Sequence, residues 1–491
     1  MVSLFKLSLS MGISISLIAN TYATNYINTI PTTDRLEDIA NSCAHEALSD
    51  IAPGLAVSIV KGNHLVFERG YGSKTSQAYD PVDARTLFRT GSIQKMMTAA
   101  AVLAQQDENR LMLSDSVQNL VPEAHFFSLP RHQQNEIRIS NLLDHTSGIP
   151  DYISVICDDS ITLSSWAASL TGTHTLAPAG TFYNYSNGGY SIAGLVAERA
   201  AGIPYADVMK SFVWEPSNMN TTFATVEDAM LYPNRTNGHS YHPHTGEFVS
   251  IPMNAYSCAS DIPAGTAFTT VGDMARWSMM LMNGGGETLS EESVKKMLTP
   301  HAKMYPNNPR SAHYGYGVGI EDLAYNNGGT TRVIAHDGSL IGWNSSTVMF
   351  PEAHFSVTVL SNGDEGASEA VQCIMEKTGI YNGLVVQEPE ITKPKAWKNY
   401  EGIYLLQHTM GEVLPAFVYL DGDKLRLSIM LPNSNEWQDV EAKQVDGNYF
   451  YLIDKYSEPI DDITFVLNKG NRAELWLRNR SFVGKRWISY K

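Results

Sequence analysis

From about Leu36 to Ser49 apolar residues recur at helical spacing, and the two runs that follow, Gly54 to Val60 and His64 to Gly70, read as strands joined by a Lys61-Gly62-Asn63 turn. A helix and a hairpin therefore open the fold. The next segment differs in kind. Between Ser92 and Asn109, Met96, Met97 and Ala99 to Ala104 leave almost no polar face, the pattern of a helix buried in a core. Helical spacing returns over Gly189 to Ala201 and over Val271 to Met282, the second closed by Asn283-Gly284-Gly285-Gly286. Apolar runs at Tyr314 to Ile320, Val333 to Ala335, Ser345 to Phe350 and Phe355 to Leu360 predict strands, and Ser368 to Lys377 predicts a last helix.

Periodicity lapses at Gln387, where Glu388-Pro389-Glu390-Ile391-Thr392-Lys393-Pro394-Lys395 is charged and carries two prolines. We read 387–398 as a linker. Beyond it, short runs at Gly402 to Leu406, Ala416 to Leu420, Lys424 to Ile429, Tyr449 to Ile453, Ile463 to Leu467 and Ala473 to Leu477 predict a small antiparallel barrel or sandwich over 399–491. A chain of 491 residues exceeds what one core usually organises, in keeping with two folded domains.

At the other end, Met1 to Ala23 places Lys6 before an apolar stretch and a polar exit, the pattern of a signal peptide. The expectation is a secreted or periplasmic protein whose main domain spans 24–386. The stretch is short and interrupted by Ser8, Ser10, Ser14 and Ser16, so no stable membrane insertion is expected after its removal. A net charge of -16 disfavours nucleic acid as a partner. Cys43, Cys157, Cys258 and Cys373 are too widely separated for paired metal-ligand spacing, and no metal or other cofactor is expected. Their even number permits disulfides in an exported chain, although reduced buried cysteines fit equally well.

Three short patterns carry candidate chemistry: Ser92-Ile93-Gln94-Lys95, Tyr185-Ser186-Asn187 and His336-Asp337-Gly338. Each is weak alone. Ser-x-x-Lys also occurs at Ser3/Lys6, Ser58/Lys61 and Ser293/Lys296, and Tyr-x-Asn recurs at Tyr26, Tyr232, Tyr305 and Tyr325. Ser92 has the best setting, because it follows a glycine at the start of a buried helix, where free N–H groups and the helix dipole favour negative charge. Lys95 lies one turn on, facing the same way. Burial would depress its pKa and free a neutral amine to take the Ser92 proton. Tyr185 and Asn187 sit in a polar turn before an apolar helix, placed to relay protons and to hold the lysine or a substrate amide. For the third element, Lys377-Thr378-Gly379 matches a lactamase-type triplet but reads as a basic helix end with a glycine cap. His244-Thr245-Gly246 lies in a loop. His336 follows a strand-like run and precedes Gly338 and Ser339, so a strand edge there could offer a side chain and a backbone N–H.

Together with Leu142-Leu143-Asp144-His145-Thr146-Ser147-Gly148-Ile149-Pro150 and Asp273-Met274-Ala275-Arg276-Trp277, these segments resemble, in order, the family of class C β-lactamases, penicillin-binding proteins and D-aminopeptidases. The resemblance covers roughly residues 35 to 380. It implies an α+β fold, an antiparallel sheet flanked by helices with an all-helical lobe, and the 399–491 segment resembles the lipocalin-like barrels appended to some relatives. It further implies Ser92 as nucleophile, Lys95 as general base, Tyr185 as general acid and base, and Asn187, His336 and Gly338 on the substrate side. The backbone N–H groups of Ser92 and Ser339 would form an oxyanion hole. The implied reaction is metal-independent hydrolysis of a small peptide, amide or ester, with a class C-type β-lactamase and a penicillin-binding sensor as alternatives. His336 stands where β-lactamases carry a lysine, which favours the peptidase and esterase branches. The family fold also packs its first and last helices together, implying a Cys43–Cys373 disulfide and leaving Cys157 and Cys258 as a second pair.

Overall fold

A computed structural model of the chain describes residues 30–488 apart from 50–51, 77–78, 127–135, 152–160, 173, 243–246, 256–257, 306–311, 327, 386–390, 393, 409–411, 432–435, 454–458 and 468–474. The expected leader 1–23, most of the His244-Thr245-Gly246 triplet's loop, Cys157 and the centre of the linker lie outside the described residues.

The strand Gly54–Lys61 is apolar on both faces, and that double-sided pattern is what layers the molecule around it. Leu55, Val57 and Ile59 pack beneath the helices Thr33–Ala47 and Ala367–Thr378, whereas Ala56 and Val60 turn to the opposite core, shared with the helix Val271–Met282. Eight antiparallel strands complete the sheet in the spatial order His64–Gly72, Gly54–Lys61, Phe355–Ser361, Trp343–Phe350, Thr330–Leu340, Gly319–Ala324, His313–Tyr314 and Ala302–Lys303. Chain-distant strands thus meet at the centre: Val57 lies opposite Val359. The first and last helices of this domain are joined by a Cys43–Cys373 disulfide, Cα–Cα 5.6 Å, across a sequence separation of 330 residues. Cys258 is also disulfide-bonded.

Two element boundaries depart from the sequence pattern. The run Tyr314 to Ile320 is not one strand, because a turn closed by Gly315 N donating to Val318 O at 2.8 Å folds His313–Tyr314 back on Gly319–Ala324. The buried helix is α-helical only over Gln94–Asp107, with Gly91–Ile93 as a tighter 3₁₀ turn leading into it. Against it packs the helix Asn187–Ala201, and the shorter helices Ile139–Leu143, Leu163–Ser169 and Tyr205–Met209 complete the helical lobe. Among the described residues no helix is long and apolar enough to cross a membrane.

The C-terminal segment is a closed barrel of eight strands, from Gly402–His408 to Phe482–Ile488. Alternating inward positions, among them Tyr404, Leu406, Val418, Leu427, Phe450, Phe465 and Leu477, are fully buried and fill the interior with side chains. Its floor is plugged by Trp397, from a short Pro394–Trp397 helix inside the expected linker, against Phe450, and by Tyr400 stacked 4.1 Å from Phe465. The barrel docks on the helical lobe through Val466, Trp476 and Val483 against Leu176, Ala177 and Phe182.

Cross-linking the two ends of a domain restricts its unfolded chain, so Cys43→Ser with Cys373→Ser should lower unfolding stability by about 2–4 kcal/mol in urea titrations. An unchanged midpoint would show that the helix pair holds without the bond.

Candidate active site

Ser92 sits in the 3₁₀ turn at the mouth of the buried helix and is half-buried, whereas Lys95, one turn on, is 0% exposed. Three oxygens surround the Lys95 amine: Ser92 Oγ at 3.1 Å, Asn187 Oδ1 at 2.7 Å and the Ala264 carbonyl. The ring of Tyr185 lies 4.9 Å from it and that of Tyr190 5.6 Å. Burial pushes the Lys95 amine well below the ordinary lysine range; Asp151 and Asp261 pull it back up, and Arg480 pushes it further down. Such an amine can accept a proton from the hydroxyl beside it.

Asn187 is the first residue of its helix, and the cap is Ser186, whose side chain accepts from Gly189 N at 2.8 Å. That leaves the Asn187 side chain free to hold the lysine. Tyr185 is 3% exposed, and its hydroxyl faces Ser92 without an aligned hydrogen bond. Burial raises its pKa above the ordinary phenol range, while Arg480 and Ser92 act in the opposite direction.

His336, on the strand Thr330–Leu340, is 4% exposed and has both ring nitrogens engaged: Nε2 accepts from Tyr314 Oη at 2.8 Å and Nδ1 donates to the Asp337 carbonyl at 2.7 Å. The tautomer follows from those partners. Burial, with Lys95 nearby, depresses its pKa to about 3, so the ring is neutral and is held by Tyr314. What the strand edge does offer is backbone. Gly91 has φ +53°, and a β-carbon there would lie 2.6 Å from Ser339 N; one on Gly338 would lie 2.8 Å from Ser92 N and 2.4 Å from the Thr90 carbonyl. Two glycines without side chains thus let the Ser92 and Ser339 amides approach one spot.

The competing patterns are placed elsewhere. Ser58 is buried in the central strand while Lys61 Nζ donates to the Pro31 carbonyl at 2.6 Å; Ser293 Oγ donates to Asp107 Oδ1 at 2.7 Å, and Lys296 pairs with Glu292 at 2.8 Å. Lys377 pairs with Glu46 at 2.6 Å and Gly379, φ +75°, caps the last helix. Tyr232 donates to the Arg85 carbonyl at 3.1 Å, Tyr325 to the Ile380 carbonyl at 3.0 Å, and Tyr305 lies 4.2 Å from Tyr449. Ser3, Lys6 and Tyr26 lie outside the described residues.

Three residues in the site carried no assigned role in the sequence. His145, fully buried with φ +59°, accepts from Ser186 N at Nδ1, 3.0 Å, and its ring lies 4.2 Å from that of Tyr185, fixing the phenol from behind. Asp151 accepts from Asn187 N at 2.8 Å. Arg480, from the barrel, pairs with Asp151 at 2.6 Å and lies 4.6 Å over the Tyr185 ring. The first two belong to or adjoin the His145-to-Pro150 segment; nothing in the local pattern marks the third.

A family model described as Beta-lactamase matches residues 44–377. Among curated relatives, the chain is 24% identical over 386 residues to penicillin-binding protein 4* of Bacillus subtilis, covering 72% of this chain and 79% of that protein. It is 24% identical over 319 residues to unguisins hydrolase ungD' of Aspergillus campestris, covering 63% of this chain and only 58% of that protein. The solved octameric penicillin-binding protein homologue from Pyrococcus abyssi has a TM-score of 0.61 at 21% identity, and SurE one of 0.69 at 20%. Each alignment covers 92% of this chain and 99% of the other, so the shared architecture includes the barrel region.

Because a β-carbon at position 338 would lie 2.2 Å from Ser345 Oγ, 2.4 Å from the Thr90 carbonyl and 2.8 Å from Ser92 N, Gly338→Ala should displace the Ser92 amide and lower kcat on a test ester by about a hundredfold or more. The check is turnover by protein that circular dichroism shows to be folded; a folded variant with unchanged kcat would separate Gly338 from the chemistry.

Proposed function

The chain belongs to the β-lactamase family, whose curated relatives include a hydrolase, and on that premise we propose that it is a serine hydrolase that forms an acyl-enzyme on Ser92 and cleaves peptide, amide or ester bonds. The observation that carries this reading is the Lys95 amine, 0% exposed and 3.1 Å from Ser92 Oγ. A buried amine of this kind is neutral far more readily than a surface lysine.

In the proposed route Lys95 takes the Ser92 proton as Oγ bonds to the substrate carbonyl carbon. The carbonyl oxygen becomes an oxyanion facing the Ser92 and Ser339 amides. As the bond to the amine or alcohol breaks, Tyr185 gives its proton to the leaving group and regains one from Lys95, which carries the proton taken from Ser92. Water then adds to the acyl carbon, surrenders a proton to the same groups, and the acid departs with Ser92 restored. The route is metal-independent. Asn187 holds the lysine or binds a substrate amide, and Gly338 leaves room for substrate beside the strand edge.

A neutral His336 supplies no permanent cation for a substrate carboxylate, which supports peptide and ester substrates over efficient β-lactam turnover. SurE has been solved with D-Leu, and that supports including substrates with a D-residue. The signal-like first residues support action outside the cytoplasm.

Incubation with a fluorophosphonate should label Ser92 in the wild type and nothing in Ser92→Ala, read by peptide mass spectrometry. No adduct at Ser92 would end the proposal of covalent catalysis, and a penicillin adduct that never turns over would favour a sensor. Since Lys95 must be neutral to act, kcat/KM should rise with pH along a limb set by a depressed lysine pKa. His336, at about 3, should contribute no titration between pH 5 and 8.

A further inference from the structure

Between the last two barrel strands, Leu475–Arg478 and Phe482–Ile488, a three-residue turn reaches Asp151 of the other domain. It is firmly held. Asn479 Nδ2 donates to Asp461 Oδ1 at 2.8 Å and to the Asp462 carbonyl at 2.7 Å, and Ser481 N donates to Asn479 Oδ1 at 2.7 Å. Arg478, at its base, reaches across the interface to Oδ1 of Asn184, the residue before Tyr185, at 3.2 Å and to the Met304 carbonyl at 3.1 Å. The tip of the turn is Arg480.

From Arg480 an unbroken line of contacts runs to the nucleophile. Its Nε donates to Asp151 Oδ2 at 2.6 Å; Asp151 Oδ1 accepts from Asn187 N at 2.8 Å; Asn187 Oδ1 accepts from Lys95 Nζ at 2.7 Å; and Nζ lies 3.1 Å from Ser92 Oγ. The Arg480–Asp151 pair is largely withdrawn from water, its side chains 25% and 13% exposed. Its placement against the reacting groups is what distinguishes it from a surface ion pair.

We propose that Arg480 is a positioning residue for the Ser92–Lys95 pair, so that the hydrolase domain's catalytic centre is completed by the docked barrel. It fixes the Asp151 carboxylate, which in turn orients the backbone of Asn187 and the lysine that Asn187 holds. It also balances the Asp151 charge. Facing the Lys95 amine are the carboxylates Asp151 and Asp261, the Arg480 guanidinium, the phenols Tyr185 and Tyr190, and the imidazoles of His145 and His336, both kept neutral by burial. Without Arg480 the two carboxylates are unopposed and favour the ammonium form, which cannot act as a base. This inference rests on the proposed roles of Ser92 and Lys95.

The test uses the full-length chain with Arg480→Met, Arg480→Lys and Asp151→Asn, assayed on the neutral ester p-nitrophenyl acetate and the anionic ester p-nitrophenyl hydrogen succinate. Arg480→Met should lower kcat/KM on the neutral ester at pH 7 by about tenfold to a hundredfold, mainly in kcat, and move the acid limb to higher pH. Asp151→Asn should move that limb the opposite way, and Arg480→Lys should keep its position while recovering part of the rate. An unmoved limb with unchanged kcat on the neutral ester overturns the proposal. A loss confined to KM for the anionic ester also overturns it, making Arg480 a clamp for substrate anions instead. If Arg480→Met does not fold, Asp151→Asn decides: an acid limb that moves to lower pH supports the proposal, and an unmoved one overturns it. Failure of the underlying catalytic reading is seen separately, as a wild-type protein that does not label at Ser92.

Discussion

A lysine amine held out of water pays several kcal/mol in its charged form, and the Gln94–Asp107 helix imposes that cost on Lys95 because the helix is buried almost all round. Everything within reach of the amine is arranged in response. Two oxygen atoms from other elements, Asn187 Oδ1 and the Ala264 carbonyl, replace the lost water, and the aromatic faces of Tyr185 and Tyr190 supply a weaker attraction for whatever charge remains. The sheet enters through the same constraint. Its Thr330–Leu340 edge closes on the helix mouth, where Gly91 and Gly338 allow backbone to meet backbone.

Much of this was legible in the chain. The buried helix, the central strands and the Val271–Met282 helix follow from apolar periodicity, because each is covered on a face or on all sides and the pattern records the covering. Ser92, Tyr185 and His336, far apart in the chain, gather around the Lys95 amine. What stayed hidden was either short-range geometry or long-range encounter. The Gly315-to-Val318 turn inside an apolar run was masked because Tyr316 and Val318 are buried although they are not in a strand. In the barrel, Trp437–Asp446 is not marked in the sequence because Val440 is the only inward-facing branched aliphatic among Val440, Ala442 and Gln444, and Phe482–Ile488 because Lys485 and Arg486 interrupt its apolar run. His336 was legible as neutral but not as capped, since its partner Tyr314 lies two strands away in the sheet. Arg480 could not be read at all. Its meaning depends on Asp151, separated from it by 329 positions and by a domain interface.

The two domains also differ in how they are held. The β-lactamase-family domain closes on itself, with its first and last helices covalently joined, whereas the barrel rests on a modest apolar contact of Val466, Trp476 and Val483 with Leu176, Ala177 and Phe182. Polar contacts from Gln407, Arg478 and Arg480 surround that contact and give it an orientation that apolar burial alone would not specify.

The filled barrel interior has a consequence for how such a protein can change over generations. With Tyr404, Phe450 and Phe465 occupying the space that a carrier would keep for cargo, the strands are committed to being scaffold, and the residues at their tips carry no share of that packing. Mutation can therefore rewrite the rim without unsettling the wall. Within the hairpin 479–481, though, the freedom is uneven: Asn479 ties the turn to Asp461 and Asp462 and Arg480 meets Asp151, so Ser481 is the position of the three most open to change.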